Sequence, residues 1–343
     1  MYLTTREQAL DDSLNASPPI EPLWFNLARR HLVGALSNRH SAGGAPDIFM
    51  FSSPRAGSTF VMELIEQAPG VKVVNEPLNV NYPTVRHSLR VASWRDAVLM
   101  ADRKAVYERH FNRIRTNRIK SLNRPFYRRR AKFSTNRNFF KILHGGEDLL
   151  EWFEATFDCQ IVLLLRHPVA TAASQWRLPR LKHLAEHEGL TAGLTGRQTS
   201  EVEKALTVGE AFDLAIVDWV LQNRFLCRRD IPASWTRISY EELVLYPEEG
   251  RRHLDARLAL GLSGPVESKP SQTVIGIEQR TRAAIAGDSR EDREFLIDKW
   301  RERATPAQIA RCFELLDLFG IDYYDPRSSL PTDAYRAIWP NAD

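Results

Sequence analysis

Short strand-like runs recur along the chain at Ile48–Phe51, Val71–Val74, Phe139–Leu143, Ile161–Leu165 and Trp235–Ser239. Most lack the polar alternation of a half-exposed strand. Between them lie stretches with helical spacing of apolar positions, at 58–67, 147–157, 168–187, 201–229, 241–259 and 305–318. Apolar strands separated by helices predict an α/β fold, a parallel sheet flanked by helices on both faces. Ligands of such sheets bind beyond the carboxyl ends of the strands. The polar residues directly after each run should therefore converge: Ser52–Thr59, Asn75 and Glu76, His144, Arg166 and Tyr240.

The rest of the chain divides around that pattern. Residues 1–46 read as an irregular or partly helical lead-in ending in the linker Ser41-Ala-Gly-Gly-Ala-Pro46. Residues 47–320 read as a single domain, with a basic, mainly helical insertion at 84–138, and 321–343 as a C-terminal tail. Forty-three per cent of the 343 residues are hydrophobic, enough for a sizeable core. No run approaches the ~20 apolar residues that cross a bilayer. The charged residues Arg6, Glu7, Asp11 and Asp12 argue against a signal peptide. Cys159, Cys227 and Cys312 are odd in number, with neither metal spacing nor a disulfide framework. A cytoplasmic protein is the expectation. Oligomeric state is not legible.

Net charge is +4, yet residues 101–140 hold 13 Lys or Arg against Asp102 and Glu108, a net +11, which leaves the remainder at −7. A solvated helix face is one reading of this run; a surface that attracts anions is the other.

The chemistry concentrates in Ile48-Phe-Met-Phe-Ser-Ser-Pro-Arg-Ala-Gly-Ser-Thr-Phe60, a strand, a small-residue turn and a helix start. Such a junction binds anions, because unpaired N–H groups and the positive end of the helix dipole meet there. Aligned on Gly57, the nucleotide-hydrolase loop wants Gly at 52 and Lys at 58, whereas this chain has Ser52 and Ser58 and carries its cation at Arg55. A kinase or NTPase is disfavoured accordingly. A second run, Ile161-Val-Leu-Leu-Leu-Arg166-His-Pro-Val-Ala-Thr-Ala-Ala-Ser174, joins an apolar strand to Arg and then, eight residues on, Ser. A third is Trp235-Thr-Arg-Ile-Ser-Tyr240-Glu-Glu-Leu. In this order and spacing the three runs resemble the sulfotransferases that use 3′-phosphoadenosine 5′-phosphosulfate (PAPS) as sulfuryl donor and release 3′-phosphoadenosine 5′-phosphate (PAP). The carbohydrate-type and bacterial members are most similar.

The resemblance implies the sulfotransferase fold, transfer to a hydroxyl acceptor, and no metal. Ser53, Pro54, Arg55, Ala56, Gly57, Ser58, Thr59 and Phe60 correspond to the 5′-phosphosulfate loop, and Arg166 and Ser174 to the 3′-phosphate contacts. Tyr240 follows the last strand, and Arg280 and Arg282, with Lys269 behind them, are candidates for a basic element that closes over the donor. Alternatives stay open at several positions. Ser58 and Thr59 could be helix caps. Phe60 could be a core residue rather than an adenine contact, and Arg166 could pair with an internal carboxylate such as Asp158. Two residues compete for general base. Glu76, in Asn75-Glu-Pro-Leu, resembles the carbohydrate branch; His144, 22 residues before Arg166, resembles the phenol and steroid branch. Glu76 is favoured, with Lys141 a candidate to reach the sulfonate. The Glu-Pro-Leu triplet favours a carbohydrate or glycolipid acceptor, an anionic one in view of the +11 segment. A small-molecule or tyrosyl acceptor is the alternative; a polyanion-binding protein without catalysis ranks lower, and nucleic acid is not expected.

Overall fold

A computed structural model describes residues 39–41, 43–119, 132, 134–175, 193–262, 279–287 and 289–338. A five-stranded, all-parallel sheet forms the centre, from β2 (Ile48–Ser52), β3 (Val71–Asn75), β5 (Arg137–Ile142), β6 (Gln160–Leu165) and β7 (Thr236–Ser239). Its spatial order is β3-β5-β2-β6-β7. The five strand-like runs of the sequence are these strands, so the α/β class and the parallel sheet hold. A second, two-stranded parallel sheet joins β1 (Arg39–His40) to β4 (Ser134–Thr135). The sequence does not foretell it, since two-residue strands carry no periodicity.

Strand β2 lies at the middle and is buried throughout. Alternate side chains leave it in opposite directions. Phe49 and Phe51 join Phe111, Phe140, Phe153 and Phe157 on one face, while Ile48 and Met50 join Phe60, Val61, Leu64, Phe139 and Val162 on the other. Helices α1 (Ser58–Ile65), α10 (Pro247–Leu258) and α12 (Arg290–Asp298) cover the second face. Helices α4 (Arg103–Arg115), α5 (Leu150–Phe157) and α8 (Ala211–Asn223) cover the first. Ahead of α4 run the short α2 (Pro83–Leu89) and α3 (Trp94–Val98); α6 (Pro168–Gln175) follows β6, and α11 (Gln279–Ala286) precedes α12.

Two of the long helices expected from periodicity are each broken in two. The span 201–229 is α7 (Gly196–Val208) and α8, because Gly209 and Glu210 turn extended. A Cβ at Gly209 would sit 2.4 Å from the Ala205 carbonyl oxygen. The span 241–259 is α9 (Tyr240–Leu245) and α10, divided where Pro247 lacks an N–H and keeps Tyr246 out of the helical region. The span 168–187 is helical to Gln175, and its remainder lies outside the described residues.

Residues 321–338, read as a tail, are built into the molecule. They follow α13 (Pro306–Leu318) and bury Tyr323, Tyr324, Tyr335 and Ile338. The Tyr324 hydroxyl donates to Glu241 Oε2 at 3.0 Å, and the N–H groups of Ala337 and Ile338 donate to Glu242 Oε1, both at 2.8 Å. Part of the basic insertion likewise turns inward. Arg115 pairs with Asp47 at 2.6 Å, Arg137 donates to the Pro46 and Leu258 carbonyls at 2.5 and 2.6 Å, and Lys132 donates to the carbonyls of Ala68 and Val71. Arg124 and Arg128–Arg130 lie outside the described residues. No described helix is long and apolar enough to cross a membrane.

Candidate active site

From β2 the chain passes to β3 on one side of the sheet, and from β6 to β7 on the other. The gap between β2 and β6 is therefore the topological switch point, where a parallel sheet leaves a crevice at its carboxyl edge. Two of the predicted segments flank it: the loop 52–59 after β2 and the Arg166-to-Ser174 segment after β6.

They meet directly. Arg55 Nε donates to Ser174 Oγ at 2.9 Å, Arg166 Nη1 donates to the Arg55 carbonyl at 2.7 Å, and Gln175 Nε2 donates to the Pro54 carbonyl at 2.5 Å. The Arg166 guanidinium lies over the Tyr240 ring, 4.4 Å from its centroid, so the residue after β7 forms the floor. Gly57 is pressed onto the edge of that ring with φ +85, where an added Cβ would come within 2.2 Å of Tyr240 Cδ2. Only glycine permits both the backbone conformation and the approach.

Gly57 is also the N-cap of α1, and no side chain caps the helix. The Phe60 N–H turns back to the Gly57 carbonyl at 2.9 Å, which leaves the N–H groups of Ser58 and Thr59, at the very start of the helix, to a ligand or water. Ser58 and Thr59 are thus not the caps they could have been. Ser52 Oγ, Ser53 Oγ and Arg166 Nε are buried without a hydrogen-bond partner among the described residues. Buried polar atoms seldom go unpaired. Three of them around one uncapped helix start fit an anion. Arg55 as a residue is exposed, but the desolvation of its guanidinium and, second, the neighbouring Arg166 push that group below its ordinary value. Neither arginine makes an ion pair with a described residue. Asp158 is no partner for Arg166, because it caps the end of α5, before β6, whereas Arg166 follows that strand. Ala56 is buried, and Phe60, at 3% exposure, packs in the core.

A second polar cluster closes the edge at β3 and β5. Lys141 Nζ, buried at the end of β5, donates to Asn75 Oδ1 at 3.0 Å, Glu76 Oε1 at 3.2 Å and Thr59 Oγ1 at 3.3 Å. Asn79 Nδ2 donates to Glu76 Oε2 at 2.7 Å. Lys141 thereby links the Glu76 turn to the anion loop through Thr59. His144 sits further along, its ring edge-on to Trp94 with centroids 4.9 Å apart.

Backbone strain singles out the same places. Six described non-glycine residues have positive φ: Arg55, Glu76, Arg90, Asn117, Asp158 and Ala259. Arg90, Asp158 and Ala259 end helices, where the left-handed conformation is ordinary, and Asn117 follows the end of α4. Arg55 is the third residue of a turn closed by the Ala56 N–H to the Ser53 carbonyl at 3.3 Å, and Glu76 directly follows β3. A side chain held in this region costs about 1–3 kcal/mol, and such strain gathers at functional sites.

Arg280 stands apart, paired with Glu302 at 3.3 Å and lying over Phe295. The Arg282 side chain and Lys269 lie outside the described residues. Glu241 is a participant that sequence reasoning missed. Wholly buried, it accepts the His167 N–H at 2.9 Å, and burial pushes it up to about 7, with Arg166 the chief opposing influence. Among the described residues no three His, Cys, Asp or Glu side chains are grouped to hold a metal.

No protein-family model and no curated protein matches the chain. Solved structures do. The sulfotransferase domain of the Synechococcus PCC 7002 olefin synthase is similar at 19% identity and TM-score 0.42, over 83% of this chain and 97% of that one. The sulfotransferase domain of the curacin biosynthetic pathway is similar at 16% identity and TM-score 0.44, over 85% and 100%. A mouse sulfotransferase solved in complex with PAP is similar at 16% identity and TM-score 0.40, over 88% and 94%. At these values no residue role passes from those proteins to this chain.

Proposed function

We propose that this protein is a PAPS-dependent sulfotransferase that moves the sulfuryl group to a hydroxyl of a carbohydrate or glycolipid and releases PAP. The observation that carries the reading is the Arg55–Ser174 contact of 2.9 Å between two segments 119 residues apart. It joins the two sequence runs that resemble the 5′- and 3′-phosphate elements of one nucleotide site, at the switch point of a parallel sheet.

In this reading Arg55 and the α1 N–H groups hold the 5′-phosphosulfate, and Arg166 with Ser174 holds the 3′-phosphate. Arg166 is set by the Tyr240 ring and the Arg55 carbonyl, so little side-chain freedom is left to lose on binding. Glu76 takes the proton of the acceptor hydroxyl. Its two oxygens accept from Lys141 and Asn79, and carboxylate oxygens have further lone pairs for an acceptor hydroxyl. As the acceptor oxygen bonds to sulfur, the bond from sulfur to the phosphate oxygen breaks, and the charge left on PAP lies against Arg55 and the helix start. Lys141 positions Glu76 and stands next to Thr59, one residue into the loop helix. His144 is the competing base.

Calorimetry with PAP, AMP and ATP in EDTA tests the donor site. PAP should bind more tightly than either competitor and without added metal; equal affinity for AMP and PAP would remove the 3′-phosphate assignment. Transfer from labelled PAPS to a panel of glycans, glycolipids, phenols and tyrosyl peptides then tests the acceptor class.

A further inference from the structure

Away from this site, a cavity of about 450 Å³ opens between the end of α2 and the outer face of α4. Arg86, His87, Ser88, Arg90, Arg109 and Arg113 line it, and no carboxylate does. Four guanidiniums around one hollow repel each other unless something answers their charge. Two are anchored from within: Arg86 Nη1 donates to the Val80 carbonyl at 3.1 Å, and Arg113 Nη1 approaches Ser88 Oγ at 3.4 Å. Arg90 and Arg109 form no ion pair with any described residue, in a molecule where Arg103, Arg115, Arg228, Arg251 and Arg311 all do.

The wall is stiff. His110 is fully buried, and burial lowers its pKa to about 4. Its Nε2 lies 2.7 Å from the Pro77 carbonyl, which can only accept, so Nε2 carries the proton. Nδ1, 2.8 Å from Ser88 Oγ, must then accept from that hydroxyl. The Ser88 oxygen keeps its lone pairs toward Arg113. One directed chain thus runs from Arg113 through Ser88 and His110 to Pro77, the neighbour of Glu76. It fixes one side of the cavity independently of any occupant.

We propose that this cavity is a second anion-binding site, distinct from the nucleotide crevice, and that it takes an oxyanion group, a sulfate or phosphate ester. Planar guanidiniums match such groups with paired N–H donors. The assignment rests on the cavity alone and does not depend on the sulfotransferase reading.

Sucrose octasulfate, inositol hexakisphosphate and plain sucrose, titrated calorimetrically into the full chain with and without PAP, provide the test. At least one polyanion should bind with one-to-one stoichiometry while sucrose does not, and the preferred polyanion tells sulfate from phosphate. Arg90 and Arg109 are surface residues, so the double variant Arg90→Ser/Arg109→Ser should fold, and it should weaken that binding at least tenfold, the loss expected on removing charge-assisted hydrogen bonds. Arg166→Ala should leave it unchanged. Unaltered binding by the double variant overturns the proposal. An equal loss in the control Arg95→Ser/Arg118→Ser, outside the cavity, overturns it as well by exposing a general charge effect. Polyanion binding that depends on Arg90 and Arg109 in a protein that ignores PAP would uphold the cavity and refute the sulfotransferase reading.

Discussion

On the β2–β6 side of the sheet edge, Arg55 and Arg166 lean on a hydroxyl, a backbone carbonyl and an aromatic ring, and neither meets a described carboxylate. On the β3–β5 side, Lys141 is buried against Glu76, Asn75 and Thr59. Both sides are cationic and lie along one strand edge, yet only the second carries its own counter-charge. The first is arranged to be neutralised from outside, which is what an anionic donor does. The second is neutral by itself. In the function proposed above, the first side would bind the donor and the second would orient the base, and each can be tested alone.

The largest effect belongs to the self-neutral side. Glu76→Gln should bind PAP as the native protein does and lose ~10²–10⁴ in turnover, the range for a general base. A greater loss in His144→Ala would transfer that role to His144. Lys141→Met should cost about 3 kcal/mol in urea denaturation, because it strands a partly buried carboxylate. Unchanged stability would mean that the pair is not the support described above.

The field around Arg166 offers a third test. Burial raises Glu241 from 4.5 to about 7. A folded-state value above the unfolded one means that the stabilising contribution is full below about pH 4.5 and fades as the pH rises through 7. Between pH 5 and 8 the native protein should therefore lose up to about 3 kcal/mol relative to Glu241→Gln. Parallel pH profiles would show Glu241 ionised throughout, as a hidden counter-ion of Arg166, and would undo the contrast. The smallest effect is the most selective one. Arg166→Ala should weaken PAP by about 1.5–3 kcal/mol while changing stability by less than about 1 kcal/mol, since a stacking contact is lost but repulsion from Arg55 is relieved. A large drop in the unfolding midpoint would make Arg166 a structural residue.

Much of the sheet was legible because unalternated runs such as Ile48–Phe51 and Ile161–Leu165 declare a strand buried on both faces. The order of polar residues at strand ends then located the crevice without a single contact known. What stayed hidden depends on partners distant in sequence. Arg137 and Asn138, polar and outside the predicted run, belong to β5 because the Pro46 and Leu258 carbonyls and Asp47 satisfy them. Glu241 and Glu242 are buried because backbone N–H groups and Tyr324 answer their oxygens. Periodicity reports which face is apolar; it carries nothing about which polar atoms find each other. The +11 segment shows the same limit: both readings open to it, a solvated face or an anion-attracting surface, put its charges outside, whereas Arg115, Lys132 and Arg137 are internal braces.

The clasp of residues 321–338 on α9 has a consequence for the order of synthesis. The anion loop leaves the ribosome early, but its floor, Tyr240, begins the helix whose next two residues are Glu241 and Glu242. The N–H of Ile338, which fastens Glu242, follows 96 residues later. A nascent chain thus carries the loop 52–59 long before the floor beneath it is secured. Vectorial growth keeps that half of the crevice loose until Ile338 has been made, so the crevice should take its final shape only after that stretch has emerged.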